Sequence, residues 1–141
     1  MNETRKSLKV YVAGKLRTEE EREFLEKVSR LCESLGFKTF LPHRDAGLVK
    51  GMKDVKRIFK EDITQGFKDC NLVIAILDGL HVGAGTAWEL GYAYAKAIPA
   101  IGIKRDESVE DALEYLSAIL VGSMKIVSSL EELERELKRY K

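Results

Sequence analysis

Six consecutive apolar residues, Leu72-Val-Ile-Ala-Ile-Leu77, constrain the chain more than any other feature. A strand with one wet face alternates apolar and polar residues. A short run without alternation reads as a strand covered on both faces, the setting of a central strand in a parallel sheet. Four more short apolar segments read as strands: Lys9–Ala13, 38–41, Ala100–Ile103 and Lys125–Val127.

The intervening segments carry helical spacing. Thr18 with Glu21 three residues on forms a capping box that opens a helix over 18–35, with Phe24, Leu25, Val28, Leu31 and Leu35 on one face and Gly36 as its stop. Helices are predicted over 54–67, 86–97 and 109–120, and Ser129 with Glu132 caps a last one over 131–141. Residues 42–51, punctuated by Pro42, Gly47 and Gly51, read as a polar connection. Five strands alternating with five helices imply one α/β domain spanning 1–141, a Rossmann-like or flavodoxin-like five-stranded parallel sheet with helices on both faces.

Charge and cysteine usage narrow the function. The 24 basic and 23 acidic residues leave a net charge of +1, which provides no electrostatic footprint for nucleic acid or an acidic membrane. The N-terminal stretch is basic without an apolar run long enough for a secretory leader, and no segment is long enough to span a membrane, so a cytoplasmic protein is expected. Cys32 and Cys70 lack metal-like spacing and read as packed thiols. His43 and His81 come without a ligand cluster, so neither metal nor cofactor is expected.

In a parallel sheet, ligands bind beyond the carboxyl ends of the strands. The segment there of most interest is Asp78-Gly-Leu-His-Val-Gly-Ala-Gly-Thr-Ala-Trp-Glu-Leu-Gly-Tyr92. Gly83 and Gly85 let a ligand approach the backbone, and the helix start offers free N–H groups. Glu89, read as lying in the first helical turn, should be held ionised by the helix dipole, as a carboxylate nucleophile requires. Asp78, closing the strand, is placed to face the same crevice, and paired carboxylates suit glycosidic chemistry. Each feature also has an ordinary structural reading: a turn, a cap, an Asp-Gly pair.

Taken together, GTAWELGYAYA (85–95), LVIAILDG (72–79), VYVAG (10–14) and PHRD (42–45) resemble the nucleoside 2-deoxyribosyltransferase family, in order and spacing over nearly the whole chain. The resemblance implies that Glu89 attacks C1′ of 2′-deoxyribose to give a covalent deoxyribosyl-enzyme, which a second nucleobase or water resolves. It implies that Tyr11 orients Glu89 and that Asp78 contacts or protonates the departing base. It also implies deoxynucleoside or deoxynucleotide and nucleobase as ligands, and a homo-oligomer with shared sites.

There are departures from the pattern. An Asp common in the family six residues before the nucleophile is Gly83 here, with His81 as a possible substitute contact. The residue a neighbouring subunit contributes, often Asn, corresponds to Ser123. The related 2′-deoxynucleoside 5′-monophosphate N-hydrolases leave room there for phosphate, which Lys15, Arg17, His43 or Arg44 would neutralise. GTAWELG and PHRD favour the transferase. Gly14, Arg44 and Asp45 are expected to line the ligand site, while Trp88 and Tyr92 read as packing or subunit contacts, and Asp62 and Asp69 as solvated. Two other readings compete: a nucleotide-binding module without catalysis, and a phosphoribohydrolase suggested by G-x-G-T-x-x-E over 83–89, which lacks that family's preceding Pro-Gly.

Overall fold

The computed structural model describes residues 7–140. Residues 1–6, which hold Arg5 and Lys6 of the basic start, and Lys141 lie outside them. The elements run β1 (Lys9–Ala13), α1 (Glu19–Ser34), β2 (Lys38–Phe40), α2 (Pro42–Asp45), α3 (Met52–Lys60), a π-helical turn (Glu61–Gln65), β3 (Leu72–Ile76), α4 (Ala84–Ala95), β4 (Ala100–Ile103), α5 (Val109–Ala112), α6 (Ala118–Ser123), β5 (Lys125–Val127) and α7 (Leu130–Leu137), closing in a 3-10 turn (Lys138–Tyr140).

All five strands are parallel, in the order β2-β1-β3-β4-β5. The order reverses direction between β1 and β3, so the crevice at their carboxyl ends is a topological switch point of the flavodoxin type.

Strand alternation divides the core. Val10, Val12, Leu72 and Ile74 face α1 and α7, packing on Phe24, Leu25, Val28, Leu133 and Leu137. Tyr11, Ala13, Val73 and Ala75 face the other way, toward Phe40, Phe67, Leu90 and Ala93. The run 72–77 is buried on both faces, as its composition demands. The capping box at Thr18 and Glu21 is formed.

The helices depart from expectation in three places. Residues 42–45 are helical rather than a connection: Pro42 suits a first helical position, and the Asp45 carboxylate accepts the Leu41 N–H at 2.9 Å. The helix expected over 54–67 starts at Met52 and widens into a π turn at Glu61. Gly66 closes that turn against the sheet, where a Cβ would lie 2.5 Å from the Tyr11 ring. The helix expected over 109–120 is two short pieces, because Ser117 caps a new start by accepting the Ile119 N–H. Among the described residues no helix is long and apolar enough to cross a membrane.

Candidate active site

At the carboxyl ends of β1 and β3 lies a cavity of about 890 Å³, lined by the segment Gly14–Thr18 and Glu21, by Phe59, Asp62 and Ile63, and by the start of α4 from Gly83 to Glu89. Four expected site residues meet in it: Gly14, Gly83, Gly85 and Glu89. A Cβ added at Gly85 would meet nothing within 4 Å, so that glycine borders open space.

Glu89 is fixed from behind. Tyr11, fully buried on β1, donates its hydroxyl hydrogen to Glu89 Oε2. Phe67 and Phe40 both stack on the Tyr11 ring, at 4.3 and 5.4 Å between centroids, so the donor has little freedom to turn away. Burial pushes the Glu89 carboxyl up to about 7; the Tyr11 bond pulls it down, and the charge of Asp62 pushes it further up. This corrects the expected effect of the helix dipole. α4 starts at Ala84, two residues early, so Glu89 lies beyond the first turn where the dipole acts, and desolvation dominates.

Asp62 is the residue that the sequence reading missed. It was expected on a solvated face, whereas the π turn brings it into the cavity. Its Oδ1 is buried without a hydrogen-bond partner. Burial, reinforced by Glu61, pushes its carboxyl up to about 6. Isolated π turns recur at functional sites because they re-aim a side chain that the α-helical period would point elsewhere.

Asp78 does not share this cavity. Its carboxylate is held by Arg105 through Nε at 2.8 Å and Nη2 at 2.7 Å, and it accepts the Arg105 backbone N–H at 2.7 Å. It lines a smaller cavity of about 280 Å³ with Lys15, Phe24, Ile76 and Arg105, whose guanidinium lies 3.3 Å from the Phe24 ring centroid. Beside it, the buried Lys104 ammonium donates to the carbonyls of Leu77 and Gly79 and pairs with Asp106 at 2.9 Å. Asp106 in turn accepts the Gly79 N–H at 2.8 Å, where φ is +95° and glycine is favoured. The loop leaving β3 is thereby tied to the loop leaving β4.

His43, Arg44, Asp45, His81 and Ser123 lie outside the Glu89 cavity. Arg44 pairs with Asp45 at 2.8 Å and donates to the Thr39 carbonyl, so these two fasten α2 to β2 rather than line the cavity. His43 is bonded to Glu26, and His81 is exposed outside the cavity. Ser123 donates to the Leu120 carbonyl and lines a groove between α4 and α6 with Leu90 and Tyr94. Trp88, expected to pack or to meet a subunit, lines the cavity with half its surface exposed. Lys15 and Arg17 line it too, and neither forms an ion pair with another described residue.

Comparison with known proteins agrees with this architecture. The family model described as nucleoside 2-deoxyribosyltransferase matches residues 10–126. A conserved protein from Enterococcus faecalis V583 superposes with a TM-score of 0.77 at 28% identity, covering 96% of this chain and 100% of its own. The 2-deoxyribosyltransferase of Bacillus psychrosaccharolyticus superposes with a TM-score of 0.73 at 20% identity, over 89% of this chain and 90% of its own, a likeness of fold. A search of curated protein sequences found no significant match.

Proposed function

This chain belongs to the nucleoside 2-deoxyribosyltransferase family, enzymes that cleave N-glycosidic bonds, and we propose that it transfers the 2-deoxyribosyl group of a deoxynucleoside to another nucleobase through a covalent ester on Glu89. One observation carries the reading: Glu89, held by Tyr11, and Asp62, with an unpartnered buried oxygen, are two raised carboxyls lining one cavity.

The chemistry follows from that pair. The Glu89 carboxylate attacks C1′ as the C1′–N bond breaks, and its charge offsets the oxocarbenium character of the transition state. The bond's electrons leave with the base, and the Asp62 carboxylic acid supplies the proton that makes the base a neutral leaving group. In the second half, the Asp62 carboxylate takes a proton from the incoming base as its nitrogen attacks C1′ and expels Glu89. Asp62 replaces Asp78 in this role because only Asp62 lines the Glu89 cavity. The ligands are a deoxynucleoside and a nucleobase, and no step requires a metal or cofactor.

The deciding experiment is product chromatography with wild type and Glu89→Ala, using deoxynucleosides and their 5′-monophosphates with and without a free acceptor base. A new nucleoside formed only with acceptor, and lost in Glu89→Ala, is the expected result. Full activity in Glu89→Ala would overturn the mechanism. Nucleotide binding by the wild type with no turnover would favour a binding module instead.

A second reading, hydrolysis of a deoxynucleoside 5′-monophosphate with water as acceptor, is favoured by Lys15 and Arg17 at the cavity beside the start of α4, whose Gly83 cap has no side-chain acceptor. Under it, Lys15→Ala and Arg17→Ala each raise KM for monophosphates by roughly tenfold and leave nucleosides unaffected. Equal effects on both substrate sets would remove this reading.

Ser123 sits in the α4–α6 groove, apart from its own chain's Glu89 cavity, so a role for it requires a second copy that presents it to a neighbouring site. Sedimentation is expected to give a dimer or larger; an active monomer would exclude shared sites.

A further inference from the structure

One wall of the Glu89 cavity is aromatic in a way that neither carboxyl accounts for. Phe59 on α3 and Trp88 on α4 both line it, and their rings meet edge to face at 5.7 Å and 76°. Tyr92 lies nearly parallel behind Trp88 at 5.6 Å, meets Phe67 edge-on at 5.1 Å, and Phe67 stacks on Tyr11. The wall is therefore the outer end of an aromatic row that begins on the residue holding Glu89.

Tyr11 and Phe67 are buried and Tyr92 is partly buried, whereas the outer two are open: Trp88 is 50% exposed and Phe59 55%. Large rings left wet on the wall of a ligand-sized cavity match a ligand with an apolar face of its own. Their chain positions sharpen the match. Phe59 lies three residues before Asp62, and Trp88 immediately precedes Glu89. All four residues line the one cavity, so a flat ligand on these rings shares it with both carboxyls.

Resting on the reading of this cavity as the site of N-glycosidic cleavage, we propose that Phe59 and Trp88 form its nucleobase-stacking subsite. They hold the departing base, and then the incoming one, with a ring nitrogen toward Asp62 and C1′ toward Glu89. Every nucleobase has a π-face, so stacking on a wall of this kind accepts purines and pyrimidines alike.

Trp88 is the single tryptophan of the chain, so its emission reports this wall alone. The test titrates Glu89→Gln with adenine and, separately, with cytosine, reading tryptophan fluorescence. Saturable quenching by both bases is expected, weakened on the order of tenfold by Phe59→Ala. In the active enzyme, Trp88→Ala raises KM by a similar factor with a smaller change in kcat, and Trp88→Phe restores KM. Circular dichroism of each variant establishes that the fold is retained, and Phe59→Ala serves where Trp88→Ala does not fold.

No quenching up to millimolar base overturns the proposal, as does an unchanged KM in a folded Trp88→Ala. Emission that ignores base but shifts with protein concentration also overturns it, assigning the wall to a subunit contact. Quenching by an enzyme that turns over no substrate leaves the stacking subsite standing and removes the proposed reaction. Turnover without quenching does the reverse.

Discussion

Tyr11, in the middle of β1, donates its hydroxyl hydrogen to Oε2 of Glu89 on α4, joining the central sheet to a helix that lines the cavity. Burial and the neighbouring Glu89 push the Tyr11 phenol far above its usual range, so it keeps its proton and serves only as donor. That bond is what draws Glu89 down against its burial.

Tyr11→Phe removes the bond, and the Glu89 carboxyl rises above about 7. The bell of kcat/KM then falls in height and its alkaline limb moves to higher pH, while the acid limb stays near the Asp62 value of about 6. Activity at pH 7 falls by roughly tenfold to a hundredfold, with partial recovery in alkaline buffer. A pH–rate profile of the variant checks this. A curve that falls by a constant factor at all pH values would mean that Tyr11 only packs.

Asp62→Asn separates the two carboxyls. Asp62 at about 6 and Glu89 at about 7 titrate over adjoining ranges, and the Asp62 charge pushes Glu89 up. Catalysis requires one proton between them, so wild-type kcat/KM follows a narrow bell centred between those values. Asparagine cannot donate the proton, so activity drops by roughly 10²- to 10⁴-fold. The residual profile loses its alkaline limb and keeps only a rise that reports Glu89 alone, below about 7 because the Asp62 charge is gone. An alkaline limb that persists in Asp62→Asn would exclude Asp62 as the acid.

The two cavity carboxyls differ in how far the sequence reveals them. Glu89 is legible because the strand, the glycines and the helix around it all have strong local signals. Asp62 is not, because a π turn carries no composition of its own and the α-helical period places the residue on a wet face. Asp78 lies outside the Glu89 cavity for a reason that the sequence does contain. Along a strand, positions two apart share a face, so Asp78 belongs with Ile74 and Ile76, against α1, while Tyr11 and Ala75 face the other side of the sheet. The strands and α1 follow from period and capping. The break at Ser117 and the short α2 depend on single side-chain bonds to the backbone, which periodicity does not register.

Stability should record the cost of holding Glu89. Its carboxyl titrates at about 7 in the folded chain against an ordinary 4.5. The folded state therefore holds this proton more tightly than the unfolded one. The associated stability is complete below pH 4.5 and is lost as pH rises through about 7. The full displacement corresponds to roughly 3 kcal/mol as an upper bound. Glu89→Gln, which does not titrate, should exceed wild type in urea midpoint at pH 8, and the difference should close toward pH 4.5. A less stable Gln variant at pH 8 would contradict a buried carboxylate at this position.

Asp78→Ala gives the contrasting result. Asp78 accepts two hydrogen bonds from Arg105, pairs with its Nη2 at 2.7 Å, and holds the loop after β3 against the loop after β4, so its loss is structural. The ion pair is partly exposed, with the Arg105 side chain at 45%, which limits the cost to about 1 kcal/mol. The frayed loop leads into the start of α4, so KM rises while the bell-shaped pH profile keeps both limbs at their wild-type positions. A proton donor cannot be removed without losing the limb that reports it. Loss of the alkaline limb in Asp78→Ala, together with its persistence in Asp62→Asn, would return the acid role to Asp78 and require the loops to rearrange when substrate binds.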